Sequence, residues 1–374
     1  MAVFLCLRVT YVKRIFENLK LRFVPQLLLY FLPPLFAFIL TFAVARLLCM
    51  PRFAKYFNDK TGGKKLHIKA TPASGGIAVF TGLFTAALIF DGNYLVQNYI
   101  IILLGFVAMF LLGLVDDLRP LGWRSKLMLQ FAIISFIVLM GDLRLESVML
   151  EHSFYRMPYY LSAGISILLI LFLTNAFNFI DGVDGLATTV ALLFFLGLLF
   201  FQTPFSGVFL MCGAAALFAF RRFNIEPAQL FMGDSGSLFL GLMCAVFCIL
   251  FLEADLSTAN VRLQSYQQRL PVMTTLFWYP VFDTVRVLFL RLYKRKSLFK
   301  RDKRHSYSVL LRVGYTHTQI VTLVFVLTGI QLAGVLLLEP VIGLLIFLIL
   351  QILLWIGLHV YLNFQIKNFK KNSN

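Results

Sequence analysis

Phe231-Met232-Gly233-Asp234-Ser235-Gly236-Ser237-Leu238 runs directly into an uncharged apolar segment that ends at Leu252. A helix needs about 20 apolar residues to cross the hydrocarbon of a bilayer, so this stretch predicts a transmembrane helix. Asp or Ser is an ordinary N-cap at such a start, and the free amides of the first turn also attract anions. A carboxylate beside those amides suits Mg²⁺ and a diphosphate together, since Mg²⁺ favours one or two carboxylates plus substrate phosphates. The plain reading of Asp234 as a cap stands beside that one.

Further apolar runs lie at 26–49, 75–90, 99–115, 127–141, 161–179, 186–202 and 204–220, then at 271–290, 319–338 and 341–362. The composition agrees: 60% of the 374 residues are hydrophobic, only 14% are charged, and mean hydropathy is +0.85. The expected fold is an all-α polytopic membrane protein, a single bundle of about eleven transmembrane helices with a cytoplasmic-face active site. No internal repeat or low-complexity linker divides it. Residues 1–25 read as a basic amphipathic N-terminal segment and 26–374 as a transmembrane catalytic domain, with 291–319 as its long cytoplasmic loop.

Alternate connections must lie on opposite sides, so the distribution of base tests the span count. One side receives Arg52, Lys60 and Lys64, then Arg119, Arg124 and Lys126, then Arg221 and Arg222, then the cations from Arg291 to Arg312 and the tail lysines Lys367, Lys370 and Lys371. The other side is poor in base, and 91–98 has none. The basic side is cytoplasmic by this rule, which predicts a multi-pass protein of the inner membrane. One segment dissents: Arg8, Lys13, Arg14, Lys20 and Arg22 fall outside for an odd count, so the stretch is interfacial or the count is off by one. Ala43-Val44-Ala45 resembles a cleavage site, but the run before it is too long for a signal peptide. A formal charge of +17 does not point to nucleic acid, because the bases sit in short loops against one leaflet. Anionic membrane lipids and nucleotide phosphates are the nearer partners. The scattered cysteines support neither a disulfide nor zinc, and Cys244 and Cys248 read as small hydrophobes.

Acidic side chains beside membrane-length runs are costly and need a reason. Asp116-Asp117, Asp181 with Asp184, Asp234 and Asp283 all fall on the basic side, although no Asp was used to assign it. Asp116-Asp117 ends a helix whose carboxyl end repels anions, which weakens a simple interface-marking role. Lys126 begins the next span and offsets that charge, holds a phosphate, or snorkels. In Asn175-Ala176-Phe177-Asn178-Phe179-Ile180-Asp181-Gly182-Val183-Asp184, residues three apart share a face if helical; an Asx turn is the alternative. Asp283 and Arg286, at i,i+3, read as a structural ion pair. Lys300 to Ser308 gathers cations around His305, as a membrane-surface patch or for diphosphate capture. His317 reads as a lone solvated histidine.

Together these motifs resemble the polyprenyl-phosphate N-acetylhexosamine-1-phosphate transferases. The resemblance runs from Lys64-Lys65-Leu66-His67 and Thr71 to Ile77, through Gly113 to Asp117 and Asn175 to Ala187, to Phe231 to Gly241 and Pro280 to Arg304. Its spacing looks more like the N-acetylglucosamine-1-phosphate branch than the phospho-N-acetylmuramoyl-pentapeptide branch. One departure is that bacterial members usually carry a His-x-His-His cluster where this chain has His305-Ser306-Tyr307-Ser308.

The resemblance implies transfer of a sugar-1-phosphate from a UDP-sugar to undecaprenyl phosphate, releasing UMP, as the first membrane step of a cell-envelope glycan pathway. It implies Mg²⁺, with Mn²⁺ as a substitute; the sequence does not set the oligomeric state, and a homodimer is one partner state open to it. By the same matching, Asn178 and Asp234 hold the metal, while Asp116 and Asp117 flank the lipid phosphate with Lys126. Asn175, Asp181 and Asp184 serve the substrate, the last two at the nucleotide end; Lys65, Arg304 and His305 take the diphosphate and sugar. A phosphate monoester is largely dianionic at neutral pH and scarcely needs a base, so one Asp of the pair is expected to position Lys126 and the metal. An ion-coupled carrier of a polyanion is the rival class. The CDP-alcohol phosphotransferases lack support, because Asp184-Gly185-Leu186-Ala187-Thr188 departs from their motif.

Overall fold

The computed structural model describes residues 24–54, 56–57, 71–150, 153–201, 205–254, 266–295 and 304–372. Without water to satisfy them, backbone amides in a bilayer must bond within their own segment, and the apolar runs accordingly are helical. In chain order these are α1 (Val24–Leu48), α2 (Gly75–Leu118), α3 (Trp123–Met140), α4 (Tyr159–Phe179), α5 (Leu186–Phe201) and α6 (Gly207–Asn224). They are followed by α7 (Gly233–Leu252), α8 (Tyr266–Leu276), α9 (Trp278–Tyr293), α10 (Ser306–Val313), α11 (His317–Leu337) and α12 (Leu344–Asn372). Among the described residues seven helices qualify as membrane spans by length and composition, and α5 is a shorter apolar helix. The chain is an all-α polytopic membrane protein. A two-stranded antiparallel hairpin, β1 (Ser147–Leu150) with β2 (Ser153–Arg156), decorates the α3–α4 connection. The segment before Val24 lies outside the described residues.

A straight α2 of 44 residues would extend about 66 Å, twice the hydrocarbon thickness. It does not run straight, because Asp91 and Tyr99 leave helical backbone angles. Its two ends also meet the same partner: a Cβ on Gly76 would lie 2.2 Å from Gly236 N, and one on Gly113 would lie 2.4 Å from Asp234 O. Phe80 and Phe110 stack at 3.9 Å. The helix therefore doubles back, and runs 75–90 and 99–115 are two antiparallel passes. At the bend Asp91 accepts a bond from Ser206, which also caps α6. The run 271–290 is likewise two helices, broken at Phe277.

The bundle is built around α7, which is almost wholly buried and packs on α2 and α4. Phe239 meets the edges of Phe80, Phe106 and Phe110, contacts that add about 0.5–1.5 kcal/mol each beyond area. Toward the C-terminus the apolar side chains face outward: Leu337 is 71% and Leu345 72% exposed. Water would not tolerate such a surface, whereas lipid does. Polar bonds join α8, α11 and α12 inside, from Gln351 to Thr275 at 2.7 Å and Thr274 to Gln351 at 3.0 Å. Trp278 at the start of α9 donates to Thr328 at 2.7 Å.

Candidate active site

Chain entry into α7 fixes the site. Phe231 N donates to Pro72 O, and Gly75 N and Gly76 N donate to Phe231 O and Met232 O, all at 2.8–2.9 Å. The Thr71–Gly76 stretch is thus a strap across the start of α7. Gly233 adopts φ +76°, and a Cβ there would meet Ala73 O at 2.7 Å and Asp117 Oδ2 at 2.8 Å. Only glycine combines that backbone with that contact.

Asp117 spends both oxygens on the open end of α7. Its Oδ1 accepts from Asp234 N at 2.7 Å and its Oδ2 from Ser235 N at 2.9 Å. Two amides that helix geometry orphans are satisfied by a carboxylate at the positive pole. The unfavourable dipole at the end of α2 is answered by the favourable one at the start of α7.

Lys126 Nζ, on the first turn of α3, lies 2.9 Å from Asp116 Oδ2 and 2.7 Å from Asp234 Oδ1. The other Asp116 oxygen accepts from Leu121 N at 2.5 Å. From α4, the Asn178 amide donates to Asp234 Oδ1 at 2.7 Å and to Ser237 Oγ at 2.6 Å. Asp181, on the turn after α4, donates its amide to Asn178 O at 3.3 Å, and its carboxyl has no hydrogen-bond partner among the described residues. Burial, and then the charges of Asp234, Asp117 and Asp184, hold its carboxyl well above the usual range. Among the described residues four carboxylates gather here around one ammonium, an imbalance that a cation would relieve.

Among the described residues no three His, Cys, Asp or Glu side chains form a ready metal cage. The donor set nevertheless has the chemistry Mg²⁺ needs: Asp234 keeps 34% side-chain exposure, Asn178 and Asp116 sit against it, and phosphate oxygens of a bound substrate would be the remaining ligands.

Other expected residues are placed differently. Asn175 donates to Gln130 Oε1 at 2.6 Å and Leu171 O at 2.8 Å, so its amide joins α4 to α3 instead of facing a ligand. Asp184 is buried, accepts from Ala228 N at 3.1 Å and lies 3.3 Å from His317 Nδ1. It braces two turns against α11 and is not free to hold a nucleotide. His317 is not solvated; it is buried against Asp184. Arg304 lies at the mouth of the arm before α10, where its carbonyl accepts from Arg286 at 2.6 Å. Asp283 and Arg286 form no ion pair with each other among the described residues. Asp283 instead bonds His305 Nδ1 at 2.6 Å and Ser306 N at 2.5 Å. Those two residues are buried rather than part of a surface patch. Asp283 is the site-side residue that spacing misread, because the i,i+3 pair hid a partner beyond the next loop. Lys65 and the cations 300–303 lie outside the described residues.

Residues 99–252 match the Glycosyl transferase family 4 profile. The chain is similar to a probable undecaprenyl-phosphate N-acetylglucosaminyl 1-phosphate transferase of Bacillus subtilis, 26% identical over 72% of this chain and 74% of that one. It resembles a decaprenyl-phosphate N-acetylglucosaminephosphotransferase of Mycobacterium tuberculosis at 27% over 72% and 73%. A phospho-N-acetylmuramoyl-pentapeptide-transferase of Clostridium botulinum is 33% identical, over 52% of this chain and 64% of that one. The longer alignments are with the N-acetylglucosamine branch. The matched region holds Asp116, Asp117, Lys126, Asn178, Asp181 and Asp234, the residues that the fold gathers at one end of the bundle, and over that region the chain is similar to glycosyl transferase family 4.

Proposed function

We propose that this chain transfers an N-acetylhexosamine-1-phosphate, N-acetylglucosamine-1-phosphate or a close relative, from a UDP-sugar to undecaprenyl phosphate. The observation that carries the reading is the convergence of Asp116, Lys126, Asn178 and Asp234 at a helix start that Asp117 holds open-ended and rigid. Similarity to relatives named as polyprenyl-phosphate N-acetylglucosamine-1-phosphate transferases supports the polyprenyl-phosphate sugar-1-phosphate transferase class.

The lipid phosphate attacks the sugar-bearing phosphorus, a new P–O bond forms, and the bond to the UMP oxygen breaks. The attacking monoester is largely dianionic near neutral pH, so no side chain has to remove a proton. Among the described residues Lys126 is the ammonium within reach of both Asp116 and Asp234, and it steadies the incoming phosphate by a charge-assisted bond. Asp116 keeps that ammonium aimed, and Asp117 keeps the Asp234 backbone in place. Asn178 fixes the Asp234 side chain. Asp234, with Asn178 and Asp116 beside it, would hold Mg²⁺, which when bound would neutralise phosphate charge. Asp181 borders the same opening, from the nucleotide side.

Asp181 lies on the turn after α4, and each of the other groups sits in the first or last turn of its helix. An ion-coupled carrier places such groups near the bilayer midplane. Cations on the same connections argue for the cytoplasmic face of the inner membrane, where a soluble nucleotide meets a lipid head group. The test is purified protein with undecaprenyl phosphate, Mg²⁺ and a panel of UDP-sugars. UMP release that needs all three supports the reading, and uptake into vesicles without UMP release sinks it.

A further inference from the structure

Asp283 is wholly buried on α9, and a carboxylate in that position requires partners. Both of its oxygens are committed to one arm of chain, Oδ2 to His305 Nδ1 at 2.6 Å and Oδ1 to Ser306 N at 2.5 Å. Two neighbours on α9 grip the same arm: Arg286 donates to Arg304 O at 2.6 Å, and Tyr279 Oη lies 2.9 Å from Ser306 Oγ. The His305 ring stacks on Tyr307, centroids 5.5 Å apart and planes within 14°, and borders Phe179 at 5.7 Å. Tyr307 in turn presses on the turn that carries Asp181, since a Cβ on Gly182 would lie 2.4 Å from its hydroxyl.

We propose that Asp283 is a positioning residue for donor capture: by fixing the His305 imidazole through Nδ1, it leaves Nε2 to meet an anionic oxygen of the sugar nucleotide at the Asp181 turn. A carboxylate behind an imidazole sets its tautomer and holds the ring plane. The stack on Tyr307 limits ring rotation further. The arm is thereby preformed, so the donor need not order it on binding. Here Tyr307 and Ser308 stand where relatives usually carry two more histidines, so His305 works with an aromatic neighbour in place of imidazoles. This inference rests on the sugar-1-phosphate transfer reading and assigns Asp283 a part in it.

The test compares Asp283→Asn, His305→Ala and the double variant with the full-length wild type, by UMP release with each substrate varied. Each single change should raise KM for the UDP-sugar roughly 10- to 100-fold, the range for one charge-assisted bond, with kcat and the KM for undecaprenyl phosphate within about twofold. The double variant should be no worse than His305→Ala, because Asp283 acts through that ring. Asp283→Glu, which keeps the carboxylate, should fall between wild type and Asp283→Asn and guards against misfolding of the amide variant. An unchanged donor KM, losses that add, or equal rises for both substrates overturn the inference alone. A wild type that releases no UMP from any UDP-sugar overturns the transfer reading and this inference with it.

Discussion

Replacing Lys126 by Met removes the ammonium and keeps most of the stem. In the structure that ammonium is shared at 2.9 Å with Asp116 and 2.7 Å with Asp234, whose side chains are 8% and 34% exposed. Breaking one partner out of a buried pair costs about 3–5 kcal/mol, and the exposure of Asp234 lowers that to about 2–3 kcal/mol here. Melting in detergent should therefore drop by several degrees, roughly 2–4 °C per kcal/mol for larger domains. If the same ammonium also steadies the attacking phosphate, turnover at saturating substrate should fall about 100-fold or more, since about 3 kcal/mol of barrier corresponds to that factor. Adding Asp116→Asn to Lys126→Met separates the two effects. It relieves the unpaired charge and should restore most of the melting temperature while leaving UMP release low. Turnover within about threefold of wild type for Lys126→Met would refute the phosphate-holding role, because a uniform binding contact would show in KM instead. An unchanged melt would refute the ion-pair geometry itself.

Gly113→Ala forces a methyl to within 2.4 Å of Asp234 O and 2.5 Å of Ser235 Cα. Backbone cannot swing aside as a side chain does, so overpacking of about 1–3 kcal/mol should appear in thermal melts together with near-complete loss of UMP release. Asp181 titrates high because burial and three neighbouring carboxylates disfavour its charge. A raised folded value means the native state holds the proton more tightly. That contribution is complete below about pH 4, the unfolded value, and is lost as pH rises through the folded one. Without divalent cation, wild-type melting temperature should fall as pH climbs from about 4, and Asp181→Asn should flatten the curve; parallel curves would count against the assignment. Asp184→Asn should lower stability by about 1–3 kcal/mol, through the Ala228 and His317 contacts, without raising the donor KM. A selective rise in donor KM would return Asp184 to the nucleotide site.

Much of the architecture could be read from residue order alone. The runs 75–90 and 99–115 are separated by Asp91-Gly92-Asn93, and the break in α2 falls there because an apolar helix cannot continue past the bilayer. The helix start at Asp234 follows from Gly233 and an acidic first turn. Partner choice across long separations was not readable. Asp184 meets His317 across 133 positions, and no periodicity links a turn after α4 to the first residue of α11. Asn175 and Asn178 look equivalent on one helix face, yet a single turn of α4 separates an amide facing Gln130 inside the bundle from one facing Asp234 at its mouth. Asp283 with Arg286 illustrates the opposite error. Their spacing does place both on one face, but that face meets the arm 304–306, so each finds a better partner there than in the other. A buried acid in an apolar run followed, beyond a cationic loop, by a histidine was the available signal.

The Asp116-Asp117 pair shows why adjacency in sequence does not mean a shared task. Neighbours on a helix point about 100° apart, so two consecutive carboxylates cannot both aim at one ligand. Asp116 looks toward α3, where Lys126 and the Leu121 amide take its oxygens; Asp117 looks toward α7, where the Asp234 and Ser235 amides take both of its own. The first orients a side chain that can touch phosphate, and the second orients the backbone that presents Asp234. Their replacements by Asn should differ in kind. Asp117→Asn leaves one α7 amide facing a donor instead of an acceptor, and loss of such a cap costs about 0.5–2 kcal/mol in stability. It should also weaken the apparent Mg²⁺ affinity, because Asp234 is displaced. Asp116→Asn should lower stability by about 1–3 kcal/mol by turning an amide toward Lys126, weaken the apparent Mg²⁺ affinity less than Asp117→Asn does, and reduce UMP release even at saturating Mg²⁺ through a misdirected Lys126. Identical effects of the two changes on melting, Mg²⁺ titration and turnover would mean that the carboxylates act on one ligand, against the geometry of the two faces.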